Sequence, residues 1–356
     1  MMPLFRAVRP FALVFATSLV AAACGTDVAE FNENSQPRST PTSPGSAKPT
    51  EGAAPASSSP PSAASAKPAP YPVVFVHGMA GFENLELGQI GVAYWNGVVA
   101  DLTTKGESEV FVTETSPYTG SDVRAKELAP QVDAILKKTG RAKVNIIAHS
   151  QGGIDARLLA SPQGLGYGDR IATITTIATP HRGTRVADVA LGIENALPLV
   201  ADGVTSSLLG FLQKTVYDRD TDIALRSQLF TLSVKGAAEF NAKYTNDARV
   251  VYESYAGRSN MKPGFTVCDD GKFANEPLNL DPVTPVLSAS ASFLEAHFPV
   301  EINDGLVPVE SAKWGTFLGC VPADHFKEVG HKLLPVGFDH LAFYEKVVAR
   351  LRSNGF

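Results

Sequence analysis

The chain is 356 residues long, 44% hydrophobic and 19% charged. That balance fits a globular protein with a sizeable core. Its formal net charge is −5 and its isoelectric point is about 5.8, which excludes the basic footprint of a nucleic-acid binder and the polybasic segment of a protein drawn to anionic lipid.

The N-terminus reads as an export signal over residues 1–23. Arg6 and Arg9 form a positive head, and an apolar run from Phe11 to Val20 leads into Ala21, Ala22 and Ala23. The run is short for a membrane span and has the small-residue exit of a cleaved signal. Cys24 directly after it resembles a bacterial lipobox, whose cysteine is acylated. Two endings stay open. The position three before Cys24 is Ala21, where such boxes usually carry Leu, and Ala21 with Ala23 equally suits an ordinary A-x-A cut.

Residues 24–70 read as a linker. From about residue 36 it is dominated by Pro, Ser, Ala, Thr and Gly. Such a segment buries too little apolar surface to offset its ordering entropy and is stiffened by proline. If Cys24 carries lipid, the linker holds the folded part off the membrane. Otherwise the protein is secreted, and the segment is a plain spacer.

The folded part runs from 71 to 356. Short apolar runs at 73–76, 109–115, 144–148, 171–177 and 250–256 read as strands. Between them lie helical patterns. One starts near Ser121, a candidate cap, and places Val123, Leu128, Val132, Ile135 and Leu136 inward. Pro130 predicts a kink or a new start there. Others cover 152–160, 185–245 and about 339–352. Residues 258–303 read as irregular. Several strands are apolar on both faces and alternate with helices, which predicts a mostly parallel sheet with helices on both faces. Function in such sheets gathers at the carboxyl ends of the strands.

The sharpest motif is VNIIAHSQGG at 144–153. An apolar strand, a tight turn at Ser150 and a helix would lift the hydroxyl above the sheet. The positions two before and two after Ser150 are Ala148 and Gly152, small enough for strand and helix to pass closely. A serine nucleophile needs a base and an orienting acid. Asp304 on the Asn303–Asp304–Gly305 turn is the candidate acid, and His325 is the candidate base. His331 and His340 are rivals, His340 reading as a surface or capping residue. Asp324 adjoins His325 too closely to orient its ring and reads as solvated. Two backbone N–H groups must meet the developing oxyanion. Gln151 and Met79, in the His77–Gly81 loop, are the candidates, with His77 fixing the loop by hydrogen bonding. Cys268 and Cys320 pair most simply as one disulfide in an oxidising compartment; two separate buried thiols are the alternative. The pair would close a loop of about fifty residues and stabilise by roughly 4 kcal/mol.

These stretches resemble the bacterial true lipases typified by Pseudomonas and Burkholderia triacylglycerol lipases. The likeness lies in YPVVFVHGMAGF at 71–82, KVNIIAHSQGGIDAR at 143–157, IATITTIATPHRGTRVAD at 171–188, AAEFNAKY at 237–244, NDGLVP at 303–308 and DHFKEV at 324–329. It implies the α/β-hydrolase fold, with Ser150, Asp304 and His325 as triad and Met79 and Gln151 as oxyanion donors. It also implies that Arg124 supports the oxyanion loop. Two departures stand out. The family's calcium has a ligand at the position of Lys327, and an ammonium repels a cation; Asp281 is near the other acidic ligand. No metal or cofactor is therefore expected. The family's disulfide also places a cysteine where this chain has Glu310.

The expected activity is ester hydrolysis, with a triacylglycerol or other long-chain acyl ester as substrate. A short-chain esterase, a polyester depolymerase and a non-catalytic lipid-binding surface lipoprotein are the alternatives. Leu197, Leu199, Val200, Val204, Leu208 and Leu209 lie in an apolar run within the helical insertion at 185–245. It reads as a lid over an acyl groove or as a cap helix packed on the sheet. The sequence leaves the oligomeric state open.

Overall fold

The computed structural model describes residues 70–81, 84–87, 90–194, 201–205, 219–259, 268, 283–331 and 337–356. The signal, Cys24, nearly all of the linker, Asp281 and most of the predicted lid lie outside the described residues.

Among the described residues, six strands form one parallel sheet. They are β1 (Val73–Val76), β4 (Val110–Thr113), β5 (Val144–His149), β6 (Ile171–Ile177), β7 (Val251–Gly257) and β8 (Thr316–Val321), in the order β4-β1-β5-β6-β7-β8. A separate antiparallel hairpin joins β2 (Asn84–Leu87) to β3 (Ile90–Ala93). From β1 the chain steps outward to β4, then returns across β1 to β5. That reversal opens a crevice beyond the carboxyl ends of β1 and β5, the place where ligands bind in such sheets.

Strands β1 and β5 are largely apolar on both faces because both faces are covered. Val73, Phe75 and Ile147 pack against α1 (Val98–Thr104) and α9 (His340–Ser353), which contribute Val98, Leu102, Tyr344 and Val347. Val74, Val76 and Ile146 point the other way, onto α2 (Ser121–Thr139) and α3 (Gln151–Ala160), through Leu128, Val132 and Leu159. Alternate residues of one strand thus feed two cores, as a period of two demands.

Several expectations need correction. Helix α2 starts at Ser121 and continues past Pro130, so no new helix starts there. Pro130 and Lys126, whose carbonyl loses its partner, both lie on the exposed side. Water can take that carbonyl while Leu128, Val132 and Ile135 anchor the helix. Ser121 does not cap this helix: Gly120 is the N-cap, and Ser121 is the first helical residue. Val123 faces solvent. Residues 258–303, read as irregular, contain helix α7 (Ser288–Glu295). His340 is buried, with Nε2 2.7 Å from the Asn96 carbonyl. The cap of α9 is Asp339, which accepts from Ala342 N–H.

The insertion between β6 and β7 is helical where it is described. It holds α4 (Arg185–Ala190), a turn of helix at 201–205, α5 (Arg219–Leu232) and α6 (Val234–Lys243). Leu225, Leu229 and Leu232 of α5 pack with Ala187 against Met79. The insertion therefore sits over the crevice. A short helix, α8 (Val309–Ala312), follows the Asp304 turn.

Candidate active site

Ser150 sits between β5 and α3 with φ 54° and ψ −131°. A positive φ in a non-glycine residue costs about 1–3 kcal/mol and persists only where the surroundings over-determine it. Here they do: Ser150 N–H donates to Ile177 O at 3.0 Å and Thr179 Oγ1 donates to Ser150 O at 2.7 Å. The neighbouring glycines are dictated by contact. A Cβ on Gly152 would lie 2.5 Å from Val76 O, and one on Gly78 would lie 2.6 Å from Ser150 Cβ.

His325 Nε2 is 2.9 Å from Ser150 Oγ, and Nδ1 is 2.7 Å from Asp304 Oδ2. Asp304 Oδ1 accepts from Leu306 N–H at 2.8 Å and Val307 N–H at 2.7 Å. The tight turn thus holds one carboxylate oxygen and presents the other to the ring. His325 N–H donates back to Asp304 O at 2.9 Å, so the two loops are stitched together. All three side chains are buried. Neither His331 nor His340 bonds to Ser150; each binds a backbone carbonyl of the 94–96 segment.

Met79 and Gln151 flank the serine. Neither N–H donates to a backbone carbonyl among the described residues. Gln151 opens α3, where first-turn N–H groups have no intrahelical acceptor. Behind Met79, His77 Nε2 accepts from Thr115 N–H at 3.1 Å, so Nδ1 carries the proton to Gly78 O at 2.8 Å. Burial, then the Arg124 charge, lowers the His77 imidazole to about 3 and keeps it neutral. Arg124 is fully buried. It donates to His77 O at 2.7 Å, to Ser116 O at 2.7 Å and to Asp155 at 2.6 Å.

Ser150 and His325 open into a pocket of about 390 Å³ of empty space, which includes solvent at its mouth. Its wall is almost wholly apolar, with Met79, Val186, Leu229, Leu232, Leu306 and Val307 among the lining residues. Thr184 also lines it, but its hydroxyl is turned to Leu306 O at 2.6 Å.

Cys268 and Cys320 form a disulfide with 5.5 Å between Cα atoms. It ties residue 268 to β8, five residues before His325. The expectation that Asp324 is solvated is overturned. Asp324 is buried and accepts from Thr284 N–H and Oγ1 and from the N–H groups of Phe326 and Lys327. Lys327 Nζ lies 3.4 Å from its Oδ2. A carboxylate met by four donors and an ammonium does not fit calcium, so the described residues beside His325 do not fit the metal that the family likeness implies. His149, His325 and Glu328 bring possible ligand atoms within 4.8 Å of one another. Both nitrogens of each ring are already engaged, and an ion there would displace the Ser150 and Asp304 contacts.

Tyr94, His149, Gln228 and Glu328 are the residues that sequence reasoning missed. Gln228 on α5 donates to Gln151 Oε1 at 2.6 Å and to Pro117 O at 3.0 Å. For His149 a signal existed, its place directly before the nucleophile. For Glu328 the signal was its place three residues after His325; Tyr94 and Gln228 act only through distant partners.

A parallel sheet with a strained serine elbow at its switch point, followed in the chain by the acid and then the histidine, defines the α/β-hydrolase class. A family model for the alpha/beta hydrolase fold matches residues 71–269, and the chain belongs to that family. Among characterised relatives, a triacylglycerol lipase of Vibrio cholerae serotype O1 is 33% identical over 177 residues, covering 49% of this chain and 54% of that protein. A triacylglycerol lipase of Burkholderia plantarii is 33% identical over 189 residues, covering 49% and 48%. The chain thus spans about half the length of these curated relatives. The crystal structure of Staphylococcus hyicus lipase superposes with a TM-score of 0.55 at 20% identity, over 80% of this chain and 96% of that one.

Proposed function

We propose that this protein is a serine carboxylic-ester hydrolase, and specifically a lipase that cleaves triacylglycerols or other long-chain acyl esters. The observation that carries the reading is the Ser150–His325–Asp304 relay opening into an apolar pocket. With Nδ1–H given to Asp304, His325 Nε2 holds a lone pair toward Ser150 Oγ–H. It takes that proton as the oxygen attacks the ester carbonyl. The tetrahedral oxyanion turns toward Met79 and Gln151 N–H. His325 then protonates the departing alcohol, and water repeats the sequence on the acyl-enzyme. Each oxyanion donor is worth roughly a hundredfold or more in turnover. The acyl chain lies along Val186, Leu229, Leu232 and Leu306, which offer it no polar partner.

The same reading includes export, with Cys24 as the acylated N-terminus of a surface lipoprotein and the run around residues 193–212 as a lid. The disulfide supports an oxidising compartment. Intact-mass analysis of membrane-extracted protein tests the anchor, and an unmodified N-terminus sinks it.

The activity is tested with p-nitrophenyl esters from acetyl to palmitoyl and a triglyceride emulsion, beside Ser150→Ala. Turnover of long chains and emulsion by the wild type alone is expected. Turnover of short soluble esters only would leave an esterase. No turnover, with no fluorophosphonate labelling of Ser150, would leave a lipid-binding protein.

A further inference from the structure

Gly78 must be glycine because its Cα faces Ser150 Cβ. Glycine brings a cost with it, since its peptide planes are the least restrained in the chain. Met79 N–H is the next donor along, so any swing about Gly78 moves it off target. The loop needs restraint from outside, and the structure supplies it at both ends of one peptide group. Arg124 Nη2 holds the His77 carbonyl at 2.7 Å. Tyr94 Oη accepts the Gly78 N–H at 3.0 Å.

Tyr94 comes from the end of the β2–β3 hairpin, 16 residues along the chain from Gly78. Its oxygen is itself pinned, 2.6 Å from His149 Nδ1. His149 Nε2 in turn lies 2.8 Å from Glu328 Oε2. All three side chains are buried. Burial drives the Tyr94 hydroxyl up, so it stays protonated, and holds His149 neutral. A neutral ring has one donor and one acceptor nitrogen. Whichever partner carries the shared proton, the oxygen is fixed where Gly78 N–H points. The chain also joins three parts of the site. His149 precedes the nucleophile, Glu328 follows His325 by three residues, and Tyr94 grips the oxyanion loop.

We propose that Tyr94 is a positioning residue for ester hydrolysis: its hydroxyl, aimed by His149, holds Gly78 N–H and thereby sets Met79 N–H against the oxyanion. The inference rests on the ester-hydrolase reading. Tyr94 is not among the residues lining the pocket, so it acts on the transition state through the loop and leaves substrate binding alone.

The test is Tyr94→Phe, which removes one oxygen and keeps the ring. Wild type and variant are compared on p-nitrophenyl butyrate, with active sites counted by fluorophosphonate so that misfolded protein does not enter kcat. The expected result is kcat lower by roughly 10–100-fold, less than the full loss of a donor, with KM within about twofold. Affinity for an alkyl boronic acid, whose Ser150 adduct places an oxygen in the same site, should fall by a similar factor. A packing role alone would move the melting temperature without this kcat–KM split. Wild-type kcat per active site, a change in KM only, or unchanged boronate affinity overturns the proposal while leaving the hydrolase reading intact. A silent wild type, unlabelled by fluorophosphonate, overturns the hydrolase reading and this inference with it.

Discussion

Asp304 does two jobs with two oxygens. Oδ1 closes its own turn on Leu306 and Val307 N–H, and Oδ2 meets His325 Nδ1. Asp304→Asn separates them. The amide oxygen can still close the turn, while its NH₂ faces Nδ1 and forces the proton to Nε2, where it can no longer accept from Ser150. Turnover should fall by about 10⁴-fold with the melting temperature within a few degrees of wild type. A loss under tenfold in steady-state kcat would refute the relay. These residues were legible because each sits in a local pattern: an elbow after an apolar strand, a carboxylate beside glycine, a histidine in a loop. Tyr94 and Gln228 were not, because their partners lie 55 and 77 residues away. Asp324 was misread for a related reason. Its neighbour in sequence is His325, but its role is to gather Thr284 and the Lys327 turn.

Strands β1, β5 and β6 were readable within a residue because their runs are short and largely apolar or β-branched. Strand β8, TFLGCV, was not: Gly319 and Cys320 break its pattern, and it earns its place by pairing with β7. Helix α7, SASASFLE, hides behind its serines, and only packing turns Ala291 and Leu294 inward. The 3₁₀ turn Lys327–Val329 opens on the residue that departs from the family pattern. Where the family likeness puts a calcium ligand, the Lys327 ammonium sits beside Asp324 and brings the cation within the chain. Activity and melting temperature are therefore expected to be unchanged in excess chelator. Lys327→Met should lower the melting temperature by several degrees, since it leaves a buried carboxylate without its counter-charge. A chelator-induced loss that added calcium restores would refute this, and would point to ligands outside the described residues.

The same burial that builds the two cores leaves the whole molecule sensitive to acid. His149 and His181 are held well below 6.5 by burial, and at His181 the Arg157 and Arg182 charges add to it. His77 is lowered to about 3, and His331 is also lowered. His181 shows why. Its Nδ1 lies 3.2 Å from Arg157 Nη1, and a charged ring would face that guanidinium. Folding therefore holds these imidazoles neutral, while the unfolded chain protonates them below about pH 6.5. The unfolded state then binds more protons, and stability falls as pH falls. A ring that stays neutral in the folded state throughout, as His77 does, costs about 1.6 kcal/mol between pH 6.5 and 5. Four carboxyls oppose the trend. Burial raises Glu328 well above 4.5, and also raises Asp155 against the Arg124 charge and Asp188 and Glu301 against the Arg185 charge. Their contribution is present at low pH and lost as pH rises. The unfolded chain takes up its imidazole protons within this window, whereas its carboxyls titrate mostly below it, so urea midpoints should fall between pH 6.5 and 5. His181→Gln, which keeps a polar group facing Thr176 and Arg157 but cannot titrate, should flatten that slope. A midpoint that rises with acid, or a slope untouched by the substitution, would show that the histidines do not govern the acid response.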